Sequence, residues 1–99
     1  MRYHCEWDPA KAMENLRKHK VGFQRAASVF RDPLGISIFD EEHSRNEDRW
    51  VTMGIDDSGT IVVMIHTFRW IDELSCAVRI ISARKATKRE REQYEARDP

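Results

Sequence analysis

Apolar and polar residues alternate from Arg2 to Trp7, enough to predict a short first strand. Asp8-Pro9 then reads as a helix N-cap followed by proline at the first helical position. The helix that starts there has Met13 and Leu16 marking its buried side, Lys11, Arg17 and Lys18 covering the rest, and an end near His19-Lys20. Gly22 breaks the pattern. Phe23, Ala26, Ala27 and Phe30 fall at i, i+3, i+4 and i+7, which predicts a second helix stopped by Asp32-Pro33.

Beyond Pro33 the period drops to two. Leu34, Ile36 and Ile38 predict a strand, and the acidic loop from Asp40 to Asp48 separates it from the next. Two strands, Trp50 to Ile55 and Ile61 to Phe68, flank the turn-forming tetrad Asp56-Asp57-Ser58-Gly59 and predict a hairpin. The run Ile61-Val62-Val63-Met64-Ile65 is apolar on both faces, as a central strand is. Residues 69 to 75 read as a connection, and Cys76 to Ala83 as a final strand. Thr87-Lys88-Arg89-Glu90 fits a capping box, in which the threonine hydroxyl and the glutamate each satisfy a free backbone N–H. The helix it opens carries one large apolar side chain, Tyr94, and is expected on the surface. Trp7 is expected to act as a hydrophobic staple at the entry to the first helix. The pattern as a whole describes an α+β fold, a twisted, mostly antiparallel sheet with two N-terminal helices and one C-terminal helix.

Composition narrows this further. A chain of 99 residues is the size of one domain, so residues 1–99 are expected to share a single core. Cys5 and Cys76 form neither a CxxC pair nor a disulfide framework, which suits a reducing cytoplasm. The N-terminus lacks the apolar stretch of a signal peptide, and no segment approaches the ~20 apolar residues that span a bilayer. Seventeen basic residues balance seventeen acidic ones, against the usual profile of a nucleic-acid binder. Their distribution is uneven: positive charge gathers in residues 11 to 31 and from Arg79 onward, around an acidic middle of Asp40, Glu41, Glu42, Glu47 and Asp48.

The junction of the last strand and last helix collects Arg79, Arg84, Lys85, Lys88 and Arg89. Guanidinium groups beside a helix N-terminus attract phosphate, although such a run also serves as an ordinary solvated face. His66, at the end of the central strand, is placed to move protons or to be a satisfied strand-end histidine. His19, between Lys18 and Lys20, is a second candidate base, while His4 and His43 sit in no supporting pattern. Glu47 offers a carboxylate that orients an arginine or acts as a base, or simply forms a salt bridge. Tyr94 either stacks on a nucleobase or anchors the last helix. With no Gly-rich phosphate loop, nucleophile elbow, HExxH or paired CxxC, nucleotide hydrolases, serine hydrolases and zinc enzymes fall behind. Cofactor-free and metal-free phosphate chemistry, or pure binding, remains. RNA cleavage fits the former, because the 2′-hydroxyl supplies the nucleophile.

Several segments together resemble the successive motifs of BrnT-type toxins: Trp7-Asp8-Pro9-Ala10-Lys11-Ala12, Asn15-Leu16-Arg17-Lys18-His19, Phe23-Gln24-Arg25-Ala26 with Val29-Phe30 and Asp32-Pro33, Glu47-Asp48-Arg49-Trp50, and Arg79-Ile80-Ile81-Ser82-Ala83-Arg84-Lys85-Ala86 followed by Glu90-Arg91 and Tyr94. The resemblance implies the toxin of a type II toxin-antitoxin pair, with a RelE-like fold and a ribonuclease activity that arrests translation. It also implies a BrnA-like ribbon-helix-helix antitoxin from an adjacent gene, a heterotetramer of two toxins and two antitoxins, and contact with promoter DNA only through the antitoxin. Neither a metal nor a membrane is part of that picture.

Matched by position, Lys18, His19, Glu47, Arg49, Arg79, Ser82, Arg84 and Tyr94 are the implied participants. With the residues read directly, the expected catalytic set is Arg79, Arg84, His19, Glu47, His66 and Tyr94, and the expected RNA-binding set is Lys18, Arg49, Ser82, Lys85, Lys88 and Arg89. The competing reading is a catalytically inactive module that binds an antitoxin and acts in transcriptional autoregulation. Two departures stand out. Lys20 occupies the place directly after His19 where the family tends to have glycine, and residues 68 to 75 are longer and more apolar than the family's short hairpin.

Overall fold

Asp8 opens the first helix as its spacing predicts: the carboxylate accepts the Ala10 N–H at 3.0 Å, with Pro9 in the first turn. In the computed structural model, which describes residues 1–97, strand β1 (Arg2–Glu6) leads into α1 (Pro9–His19). Lys20 ends α1 in the left-handed region, φ 61°, and its N–H closes on the Leu16 carbonyl. The break therefore comes at Lys20. Gly22 is the ordinary extended N-cap of α2 (Phe23–Ala27).

The inner side of α1 differs from the expected one. Met13 and Leu16 are 74% and 51% exposed, and the residues that face inward are Ala12 and Asn15. The cause is what α1 packs on. Asn15 lies against a free stretch of the last strand and satisfies it, donating to the Ala83 carbonyl at 2.8 Å and accepting the Ala83 N–H at 3.1 Å. A bulky apolar side chain there would leave both backbone groups unpaired. The second helix is also shorter than its pattern suggests, because the chain tightens into a 3-10 turn over Ser28–Arg31. Three residues per turn moves the buried line onto Val29, leaving Phe30 half-buried.

Six strands build the sheet: β1, β2 (Ile36–Phe39), β3 (Arg49–Ile55), β4 (Ile61–Thr67), β5 (Arg69–Asp72) and β6 (Ser75–Lys85). Their order is β1-β6-β4-β3-β2, with β5 also on β6. β4 is central, and every pairing is antiparallel except that of β1 with β6. The β3–β4 turn is held by Asp56, whose Oδ1 accepts from the Ser58 and Thr60 backbone and the Ser58 hydroxyl, while Gly59 takes φ 83°.

Two segments depart from expectation. Residues 69 to 75 hold β5 and the start of β6, so the expected connection is the far end of a long hairpin; with Trp70 and Ile71 exposed, that hairpin end lacks the buried face that marks a strand. Leu34 lies outside β2, and Ile38 is 64% exposed because β2 is an edge strand with one uncovered face.

One core lies between the sheet and α1–α2, built on Phe23, Val29, Val62, Met64, Val78 and Ile80. Trp7 joins it edge-on to Phe23, ring centres 6.1 Å apart. A smaller core on the opposite face joins Ile61, Val63 and Ala86 to Tyr94 of α3 (Lys88–Glu95). The capping box at Thr87 and Glu90 forms as its spacing predicts. α3 is exposed apart from Tyr94 and the half-buried Glu90.

Candidate functional site: a basic face on the central sheet

Counted by alternation, Arg79 should point to one side of β6, and Ser82 and Arg84 to the other. A β-bulge changes this. Ile65 pairs with Ser82 but His66 with Ile80, so Ile81 is an extra residue on β6. Val78 and Ile80 before the bulge and Ala83 after it all enter the helix-side core. Arg79, Ser82 and Arg84 consequently share the opposite face.

Register partners extend that face across three strands. Arg49 of β3 stands opposite Thr67 of β4, and the Arg79 N–H donates to the Thr67 hydroxyl at 3.0 Å. The next rows are Val51, Ile65 and Ser82, then Met53, Val63 and Arg84. A basic strip thus crosses a half-buried apolar floor.

Both β6 arginines are held by carboxylates. Arg79 makes a two-pronged ion pair with Glu47, which the loop before β3 brings over the strip. Arg84 binds Glu90 through two bonds of 2.7 and 3.0 Å, so the capping-box glutamate serves the helix and the arginine together. The Arg84 hydrogen bonds are the main reason the Glu90 carboxyl is pulled down to about 2, and the same bonds raise the Arg84 guanidinium. Among the described residues Arg49 has no ion pair.

The remaining expected residues distribute around this strip. Lys18 and His19 line a cleft between α1 and the β6 edge together with Ile81 and Ser82, which brings the end of α1 to the bulge. Lys85, Lys88 and Arg89 are exposed where β6 passes into α3. His66 and Tyr94 are elsewhere engaged. His66 is 2% exposed on the helix-covered face, and its Nδ1 lies 2.8 Å from the Thr67 carbonyl. A carbonyl can only accept, so Nδ1 carries the proton and Nε2 accepts from the Thr52 hydroxyl at 2.6 Å. Burial keeps its pKa below the usual histidine value. Tyr94 is buried under α3 and donates its hydroxyl to Asp32; burial, then that carboxylate, pushes it up to about 12. The reading of Tyr94 as the anchor of the last helix describes this geometry.

Three residues outside the expected set belong to the surroundings. Thr67 links Arg49 to Arg79 and was hidden because only strand register reveals it. Asp40 and His43 form a hydrogen-bonded pair in the acidic loop, with the ring Nδ1 2.9 Å from the carboxylate. An aspartate three residues before a histidine, at the start of a short turn, is the signal that could have found them.

A family model described as the BrnT ribonuclease toxin of type II toxin-antitoxin systems matches residues 7–90. The crystal structure of the Brucella abortus ribonuclease toxin BrnT is similar in fold, with a TM-score of 0.62 and 18% identity over 89% of this chain and 100% of that one. No curated protein matches the chain. No described helix is long and apolar enough to cross a membrane. The family match spans both helices of the N-terminal half, the whole sheet beyond β1 and the start of α3, and this chain belongs to the BrnT ribonuclease toxins of type II toxin-antitoxin systems.

Proposed function

We propose that this protein cuts RNA in the cytoplasm on the strip carried by β3, β4 and β6, without a bound metal, and that the cutting arrests translation. The observation that carries the reading is the bulge at Ile81, which aligns Arg79, Ser82 and Arg84 beside Arg49. Attack by a 2′-hydroxyl on the neighbouring phosphorus gathers negative charge on the phosphoryl oxygens. Fixed guanidinium groups stabilise that charge without reorganising during the reaction. Glu47, with both oxygens engaged by Arg79, positions that arginine. Lys18, Lys85, Lys88 and Arg89 extend the positive surface along which a backbone can run.

Purified protein is expected to cleave a single-stranded RNA in excess chelator, and Arg79→Ala or Arg84→Ala to slow single-turnover cleavage by about 10²-fold or more. The same variants should relieve growth arrest while melting cooperatively. If both cut RNA at the wild-type rate, the site lies elsewhere.

The partner follows the family: a ribbon-helix-helix antitoxin that joins two toxins in a 2:2 complex and alone touches promoter DNA. Exposed Trp70, Ile71 and Leu74 at the hairpin end supply an apolar surface of the kind partners cover. Light scattering of the co-expressed pair measures the stoichiometry. The competing reading, an inert antitoxin-binding module, draws on the fact that Arg79 and Arg84 are both already paired. Wild-type protein that neither slows growth nor cuts RNA would select it.

A further inference from the structure

The strip supplies cations, and a transesterification also needs a group that takes a proton. Three histidines come into question near it. His66 has both ring nitrogens committed and is shut away from solvent. His19 is exposed, and among the described residues nothing hydrogen-bonds its ring. His43 differs from both. Its Nδ1 lies 2.9 and 3.1 Å from the two oxygens of Asp40, which places the proton on Nδ1 and leaves Nε2 as a free acceptor on a ring 61% exposed.

The loop that carries this pair is tied down. The Asp40 N–H donates to the Arg49 carbonyl at 2.8 Å, the Ser44 hydroxyl donates to the Asp40 carbonyl at 2.5 Å, and the Arg49 N–H donates to Ser44 Oγ at 2.9 Å. His43 is therefore fixed relative to the first residue of β3, whose side chain opens the basic strip. Its cleft is lined by Glu42, Arg45, Asn46, Glu47 and Arg49, and Glu47 also lines a second cleft containing Thr67 and Arg79. The two clefts therefore meet at Glu47, with His43 lining one and Arg79 the other.

We propose that His43, oriented by Asp40, is the general base of the RNA cleavage inferred above, on which this assignment rests. Neutral Nε2 takes the proton of the 2′-hydroxyl, and O2′ forms a bond to the adjacent phosphorus. The P–O5′ bond breaks, the leaving 5′-oxygen takes a proton from water, and the imidazolium returns its proton to solvent. The products are a 2′,3′-cyclic phosphate and a 5′-hydroxyl. Asp40 is a positioning residue: it sets the tautomer and holds the ring in place. The charged groups around the ring are Asp40, Glu42, Arg45, Glu47 and Arg49.

The test is the pH dependence of single-turnover cleavage of a short single-stranded RNA, in chelator, by the wild type and by H43Q, H43N, D40N and R79A. The wild-type rate is expected to rise with pH and then level off, as a general base that acts in its neutral form requires. H43Q and H43N should each lose about 10²- to 10⁴-fold and the rise itself. D40N should slow cleavage by itself but add little to the loss when combined with H43Q, a non-additivity that a purely structural role would not produce. H43Q and H43N cutting within about twofold of wild type, with the rise intact, while R79A is inactive, would overturn the assignment to His43 and leave the RNA reading standing. A wild type that cuts no RNA would overturn both.

Discussion

Lys20 adopts a backbone conformation that side chains resist, φ 61°. The left-handed region costs a non-glycine residue about 1 kcal/mol, so Lys20→Gly is expected to raise unfolding stability by up to about that amount in urea titrations. Tyr94 tests the opposite case. Its hydroxyl serves Asp32, which also accepts the Leu34 and Ile55 N–H groups, and Tyr94→Phe should cost about 1.5 kcal/mol while leaving RNA cleavage unchanged.

Glu90 gives a pH signature. Its carboxyl sits at about 2 rather than 4.5, so the folded chain holds fewer protons than the unfolded one between those values. The stabilisation is complete above pH 4.5 and drains away as pH falls toward 2. Since Arg84 is 43% exposed, the pair is worth about 1 kcal/mol in water. Glu90→Gln keeps a residue that can complete the capping box but removes the charge, so its unfolding free energy should fall less steeply than wild type between pH 5 and pH 3.

At the level of helices and strands, local backbone chemistry was readable and tertiary accommodation was not. Asp8-Pro9, the Asp56–Gly59 turn and the Thr87–Glu90 box each act over a few residues, and each forms where its spacing says. The inner face of α1 was misread because its key residue is polar, buried to complete a strand it meets 68 positions later. Asn15→Ala removes three hydrogen bonds from a buried site and should cost about 2 to 3 kcal/mol in denaturant unfolding. The candidate site shows the same division. Arg79, Arg84, Glu47 and Arg49 could be named from charge and motif, yet their common face depends on one extra residue in β6, which alternation alone cannot detect. Thr67 and the Asp40–His43 pair escaped for a related reason, since register and loop closure bring them to the strip.

Across the whole molecule, a neutral charge total coexists with a basic strip, and the acidic loop is engaged beside it: Glu47 binds Arg79, and Asp40 hydrogen-bonds His43. The sheet separates two cores, with the helices over one face and α3 closing only the end of the other. What joins them is β6, which pairs with β1 in parallel along one edge and with β4 and β5 along the other. Strand β1 is thus completed by a strand that lies far along the chain. A fragment of residues 1–74 should show no cooperative melting and no growth arrest, because β1 would lack its partner and the central strand one neighbour. For a protein proposed to act against translation, the order of synthesis becomes a safeguard. The strip cannot assemble until β6 has been made, so a chain stalled before that strand is expected to be harmless to the ribosome that carries it.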